Sequence, residues 1–159
     1  MAKDKSQPAR VGIDSCVVLA YLIGDQPRHG EGIRQLFFDV EAKEVRLYGS
    51  TLLLAEVLGG GFKAKIDPVM ERRIDALLQN PDALTLVSAG VQVGLFARQF
   101  RREYGLKVAD AIHLASAVFA RVDVFVTTND KDFPIGDSVQ GVQVDYPRSL
   151  GPGYLPNGG

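Results

Sequence analysis

Short apolar runs alternate along the chain with longer segments in which apolar residues recur every three or four positions. The apolar runs predict strands at 11–13, 45–48, 84–87 and 122–126, with a last strand at 142–144 placed at a sheet edge. The periodic segments predict helices that begin at Ser15 and then cover about 29–42, 52–58, 68–79, 91–104 and 108–121. Strands that alternate with helices predict a three-layer α/β/α sandwich around a short, mainly parallel sheet.

The two ends of the chain differ in composition from its interior. Residues 1–10 are polar, and the chain closes on a Gly- and Pro-rich sequence. These features predict flexible tails at 1–10 and 148–159 around one domain at 11–147. Within that domain, a loop is predicted at 25–29 and a helix stop at the three glycines 59–61.

Composition excludes several classes of protein. No apolar stretch reaches the roughly 18 residues that a membrane-spanning helix requires. The single cysteine, Cys16, excludes an intramolecular disulfide and predicts a reducing, cytoplasmic location. A net charge of −1 argues against nucleic-acid binding over the whole surface but leaves room for a local basic groove. The candidate residues for such a groove are Lys63, Lys65, Arg72, Arg73, Arg98, Arg101 and Arg102.

Four acidic residues lie at the ends or on the polar faces of apolar elements: Asp14, Glu56, Asp110 and Asp130. Burying an unpaired carboxylate is costly, so four such positions suggest a shared cluster. In parallel sheets, the carboxyl ends of the strands meet at one edge, where Asp14 and Asp130 are expected. Clustered carboxylates repel each other unless a proton or a hard divalent cation intervenes. The pattern predicts a metal-dependent phosphodiesterase site.

Each acid also has an ordinary structural interpretation. Asp14 is suited to cap a helix after a strand, and Asp110 to complement a helix dipole in a first turn. Glu56 alone resembles an exposed helix residue, and Asp130 is suited to a turn. His113 follows Asp110 on the same helical face and is better explained as a packed structural histidine than as a ligand.

Other side chains near the predicted site have equally ordinary interpretations. The hydroxyls of Ser15 and Thr128 are candidates for contacts with metal-bound water or phosphate, although local turn hydrogen bonds are as good an explanation. Cys16 is best explained as a small buried residue.

Four segments resemble the motifs of PIN-domain ribonucleases, and among them the VapC-type toxins of toxin–antitoxin pairs. VGIDS carries Asp14, STLLLAEVL carries Glu56, ADAIHLASA carries Asp110, and FVTTNDKDF carries Asp130 and Asp132. The resemblance extends from about residue 11 to about residue 146. Asp130 is preferred over Asp132 as the fourth acid because it lies closer to the strand end.

The resemblance implies an endoribonuclease that depends on Mg²⁺ or Mn²⁺. Asp14 and Asp110 would be direct metal ligands, and Glu56 would orient or deprotonate the attacking water. Asp130 would position a second metal or its waters. Also implied are a structured RNA substrate such as tRNA or rRNA, a homodimer, and a VapB-like antitoxin whose C-terminal segment fills the acidic groove.

Three other functions compete with a toxin. One is a PIN nuclease in RNA processing or repair, and another is a PIN module that binds partners without turnover. A receiver-like phosphotransfer domain also gathers acids at strand ends, but it needs an acceptor aspartate on a central strand and a late lysine. Neither occurs at the required place in this sequence.

Overall fold

The structure is a computed structural model that describes residues 7–24, 28–59 and 67–148. Its strands are β1 (Ala9–Ile13), β2 (Val45–Ser50), β3 (Leu84–Val87), β4 (Val124–Val126), β5 (Ser138–Val139) and β6 (Val142–Asp145). Its helices are α1 (Ser15–Ile23), α2 (Gly30–Glu41), α3 (Leu52–Glu56), α4 (Pro68–Leu78), α5 (Val91–Tyr104) and α6 (Val108–Phe119).

The strands form one sheet in the order β3-β2-β1-β4-β6-β5. All neighbours are parallel except β5, which runs antiparallel to β6. From β1 the chain first builds one half of the sheet and later returns to β4, on the other side of β1. A crevice therefore opens between the carboxyl ends of β1 and β4, where ligands bind in folds of this kind.

Apolar side chains cover both faces of the sheet. One cluster joins the sheet to α1, α2 and α4, and the other joins it to α5 and α6. A strand covered on both faces has no solvent-facing positions, so β4 is buried along its whole length. The predicted three-layer α/β/α sandwich is confirmed.

Helix α6 lies close against β1 and runs antiparallel to it. A Cβ added to Gly12 in β1 would lie 2.7 Å from the Cβ of Ala117, so the missing side chain permits this approach. At the amino end of β1, the Arg10 guanidinium donates hydrogen bonds to the carbonyls of Ala120 (2.6 Å) and Arg121 (3.3 Å). The end of α6 thus lies beside the start of β1, and the first turn of α6 lies at the carboxyl edge.

The described structure extends into both segments that were predicted as tails. Ala9 and Arg10, assigned to the N-terminal tail, belong to β1, where the Arg10 amide donates to Asp123 Oδ2 at 2.9 Å. Ala9 is fully buried. Arg148, assigned to the C-terminal tail, forms an ion pair with Asp145 at 3.1 Å. Residues 1–6 and 149–159 lie outside the described part of the chain.

The strand at 142–144 exists, but its predicted position at the sheet edge was wrong. β6 lies between β4 and β5, so that the two-residue β5 forms the edge. A strand this short carries no periodicity that a sequence pattern could reveal. The predicted loop at 25–29 falls largely on residues 25–27, which lie outside the described residues. The predicted glycine stop at 59–61 falls largely on residues 60–66, which lie outside them as well.

Candidate active site

Asp14 follows β1 directly and is held at both carboxylate oxygens. It caps α1, where the Val17 amide donates to Oδ1 at 3.3 Å. The Thr127 hydroxyl donates to Oδ2 at 2.7 Å. Because Ile13 pairs with Val126 across β1 and β4, the residues that follow them, Asp14 and Thr127, become neighbours. The helix-cap and functional interpretations of Asp14 are therefore compatible.

The Asp14 carboxyl is buried, with 1% of its surface exposed. Burial raises its pKa to about 6, because a charge out of water is poorly solvated. The Thr127 hydrogen bond, the proximity of His113 and the Val17 amide lower this pKa, and the charge of Asp110 raises it. A buried carboxyl with a raised pKa favours a proton or a cation beside it.

Asp110 lies in the first turn of α6 and shares this environment. Burial raises its pKa, and the nearby charge of Asp132 adds to that increase. His113 and Lys107 lower the pKa, and the charge of Glu56 raises it. The carboxyl edge thus brings together Asp14, Asp110, Glu56 and Asp132.

Glu56 is the last residue of the short helix α3. Its Oε1 lies 2.5 Å from His113 Nε2, and the Ser15 hydroxyl donates to its Oε2 at 3.4 Å. Ser15 begins α1 and His113 lies in the middle of α6. Glu56 is therefore held by contacts from two other elements.

Cys16 lies beside the same acids. Burial and the charges of Asp14, Asp110 and Glu56 raise the pKa of its thiol to about 12. A raised pKa favours the protonated thiol at neutral pH, which disfavours Cys16 as a nucleophile. Cys16, predicted as a small buried residue, is half-buried.

Asp130 and Asp132 occupy different surroundings in the loop after β4. Asp130 is exposed, and its Oδ2 accepts a hydrogen bond from the Tyr146 hydroxyl (3.1 Å) and faces the Arg28 guanidinium (3.4 Å). Asp132 accepts a hydrogen bond from the side-chain amide nitrogen (Nδ2) of Asn129 at 2.9 Å and acts electrostatically on Asp110. The contacts of Asp130 thus place it at the rim of the cleft, whereas Asp132 lies close enough to the acid cluster to act on Asp110.

Sequence reasoning missed Thr127 and undervalued His113. Thr128 was named as the candidate hydroxyl, but the neighbouring Thr127 contacts Asp14. Only the register between β1 and β4 distinguishes these two threonines. His113 is buried as predicted, and it also contacts Glu56.

Divalent metals suit this donor set by chemistry. Carboxylate oxygens are the ligands that Mg²⁺ and Mn²⁺ prefer. The pKa values of Asp14 and Asp110 are raised, so a nearby positive charge would stabilise their carboxylates. Among the described residues, no three His, Cys, Asp or Glu side chains are close enough together to hold one ion. Mg²⁺ takes only one or two direct carboxylates and keeps several waters, so such a closed protein cage is not required.

The structure describes only some of the residues of the predicted basic groove. Arg98, Arg101 and Arg102 are exposed on α5, whereas Arg73 forms an ion pair with Glu41 at 3.1 Å. Arg72 is exposed on α4. Lys63 and Lys65 lie outside the described residues.

Comparison with known proteins identifies the family. The sequence matches the PIN domain over residues 11–137, which is most of the chain. The protein belongs to the PIN-domain family, whose members are nucleases. Comparison with curated proteins gives no match. None of the described helices is long and apolar enough to cross a membrane.

Several solved structures share the fold. A toxin–antitoxin complex from Klebsiella pneumoniae contains a chain with 24% identity and a TM-score of 0.57, covering 89% of this chain and 99% of that one. DNA-bound VapBC from Salmonella typhimurium gives 17% identity and a TM-score of 0.57, covering 88% and 98%. VapBC2 from Rickettsia felis, bound to a promoter DNA fragment, gives 12% and 0.56, covering 86% and 98%.

Proposed function

We propose that this protein is a metal-dependent endoribonuclease that hydrolyses RNA phosphodiester bonds, with tRNA or rRNA as its target. One observation carries the proposal. Asp14 and Asp110 come from two separate elements, the charge of Asp110 acts on Asp14, and burial raises the pKa of both. A fold that keeps two such acids together bears an energetic cost that a bound cation would offset.

Asp14 and Asp110 would hold the cation, which is Mg²⁺ or Mn²⁺. When bound, such an ion lowers the pKa of a coordinated water and neutralises charge on the phosphate. Thr127 and the Val17 amide fix the direction of the Asp14 carboxylate. Glu56, one-third exposed, orients the attacking water and accepts its proton.

The fourth acid is open between Asp130, preferred from the sequence, and Asp132. The electrostatic action of Asp132 on Asp110 favours Asp132. The contacts of Asp130 with Arg28 and Tyr146 favour a role in shaping the rim of the cleft.

We further propose that the nuclease is the toxin of a VapBC-type pair, neutralised by a VapB-like antitoxin, and that it acts in the cytoplasm as a homodimer. The fold is that of chains in three toxin–antitoxin or VapBC complexes. The sequence resemblance implies that the C-terminal segment of the antitoxin fills the acidic groove, and a second groove of about 420 Å³ between α1, α2 and α4 offers a further place for the antitoxin to bind. Exposed Phe38 lies in its lining.

Cleavage of total RNA by the purified protein tests the nuclease. With Mg²⁺ or Mn²⁺ we expect discrete fragments, which disappear with EDTA and in Asp110→Asn, because the amide cannot replace the carboxylate as a ligand. Asp75→Asn, which removes an exposed carboxylate on α4, is the matched control and should remain active. The same assay with Asp132→Asn and Asp130→Asn decides the fourth acid, and we expect the larger loss for Asp132→Asn. An Asp110→Asn protein with wild-type cleavage would overturn the proposal.

A further inference from the structure

His113 lies at the centre of the acid cluster and is not assigned to any step above. It is 1% exposed, its Nε2 contacts Glu56 Oε1, and its proximity acts electrostatically on both Asp14 and Asp110. It stands in the middle of α6, the helix that Gly12 allows to pack close against β1. The imidazole is therefore fixed by its packing.

Glu56, in contrast, is weakly fixed by its own element. α3 has only five residues, ends at Glu56, and is followed by Val57 in an extended conformation and Leu58 with a positive φ of 64°. A helix of little more than one turn is marginal without contacts to other elements. The Ser15 hydroxyl offers a long hydrogen bond of 3.4 Å. The short contact with the buried imidazole is thus the stronger constraint on the carboxylate.

We propose that His113 is a positioning residue: its Nε2 proton holds Oε1 of Glu56, so that the other oxygen of the carboxylate is aimed at the water that Glu56 activates. This inference rests on the proposed nuclease function. It differs from a purely structural role because His113 then acts through Glu56 on the reaction.

The second ring nitrogen supports this assignment. Nδ1 of His113 is the one buried side-chain nitrogen or oxygen in the described parts of the chain that has no hydrogen-bond partner. Burying a polar atom without a partner destabilises a protein. A residue chosen only for packing at this position would be apolar, as are its buried neighbours on α6, Leu114 and Ala117. The histidine is consistent with a requirement for the contact at Nε2.

The test separates activity from stability. We expect His113→Leu to keep a midpoint of thermal unfolding no lower than that of wild type, because it removes the unpaired Nδ1. We expect its kcat for RNA cleavage to fall about 10- to 100-fold, the usual effect of losing such an orienting partner, with KM for RNA little changed. Ser116→Ala, which removes another buried polar group from α6, is the control and should leave kcat unchanged.

A second pair of variants has matched chemistry but different reach. The amide of His113→Gln can place an N–H near the position of Nε2, whereas the shorter amide of His113→Asn cannot. We expect His113→Gln to retain a kcat at least about tenfold above that of His113→Asn at similar stability. This pair decides the question even if His113→Leu fails to fold.

The outcomes are distinct. Equal kcat for the Gln and Asn variants, or a loss of activity that only follows a loss of stability, would overturn the positioning role and leave the nuclease intact. Wild-type protein that does not cleave RNA under any metal condition would overturn the proposed function and this inference with it. Cleavage by wild type that is lost in Asp14→Asn establishes the nuclease before the His113 variants are compared.

Discussion

At the scale of single residues, the acid cluster is a site that weakens the fold. Asp14 is buried, and its pKa rises from 3.8 to about 6 because desolvation outweighs the hydrogen bonds from Thr127 and Val17. Between about pH 4 and pH 6 the folded protein holds a proton on Asp14 that the unfolded chain has released. The free energy of unfolding therefore falls as pH rises through this window and stays reduced above it.

Replacing Asp14 by Asn should remove this pH dependence. In EDTA at pH 7 we expect Asp14→Asn to be more stable than wild type by up to about 3 kcal/mol, since one pKa unit corresponds to about 1.4 kcal/mol. Below about pH 3 the two proteins should have similar stability, because wild-type Asp14 is then protonated both folded and unfolded. Urea denaturation at a series of pH values measures the difference.

The control for this experiment is Asp75→Asn, which removes an exposed carboxylate from α4. It keeps Asp14 and should therefore retain the fall in stability between about pH 4 and pH 6. Wild-type and Asp14→Asn curves that stay parallel from pH 3.5 to pH 7 would contradict the assignment of a raised pKa to Asp14.

The sequence was enough to predict which acidic residues form the site, but not which residues form hydrogen bonds with them. Asp14, Glu56 and Asp110 stand out in the sequence because each is a charge set among apolar neighbours. The contacts of Thr127 with Asp14 and of His113 with Glu56 join residues 113 and 57 positions apart. Such contacts depend on strand register and helix packing, which local patterns do not determine.

At the scale of elements, the site depends on how closely α6 approaches β1. Helix α6 carries both Asp110 and His113, and Gly12 of β1 meets Ala117 on its buried face. Any side chain at position 12 pushes the helix away from the strand that precedes Asp14. The geometry of the acids is therefore coupled to a packing contact at a distance from them.

A double-mutant cycle tests this coupling. We expect Gly12→Ala to destabilise the fold by about 1–3 kcal/mol, because a Cβ at 2.7 Å from the Ala117 Cβ requires the backbones to separate. Ala117→Gly alone should cost about 1 kcal/mol through lost helix propensity. The double variant should be more stable than the sum of the two predicts, since the second change makes room for the first. Urea denaturation of all four proteins measures the coupling, and strictly additive losses would contradict it.

Helices whose ends carry capping or stop residues were predicted well. Strands that depend on partners far away in the sequence were not. α4 has Asp67 as its cap and Pro68 at its first position, and the ends of α5 match because Gly105 stops it in a left-handed conformation. The start of β1 was missed because Arg10 is polar, and its side chain and backbone amide donate hydrogen bonds to the distant residues Tyr48 and Asp123. β5 has only two residues and exists through its pairing with β6.

At the scale of the whole molecule, the acid edge and the groove between α1, α2 and α4 are separate surfaces. The groove is lined by apolar residues such as Ile33 and Met70 together with the charged residues Arg34 and Glu41. Phe38 belongs to the same lining and is 63% exposed. A partner that binds this groove can be lost by mutation without any change to the acids.

This separation gives a test of the proposed toxin role. Expression of the wild-type protein should arrest growth, and coexpression of its antitoxin should restore it. Phe38→Asp should keep RNA cleavage and growth arrest but weaken antitoxin binding at least about tenfold, because exposed aromatic side chains dominate the energy of such interfaces. Growth should then stay arrested in the presence of the antitoxin.

The control is Phe119→Asp, which changes a similarly exposed phenylalanine at the far end of α6 and should be neutralised like wild type. If Phe38→Asp is neutralised equally well, the groove does not bind the antitoxin; if wild type cleaves RNA without arresting growth, the protein is a processing nuclease rather than a toxin.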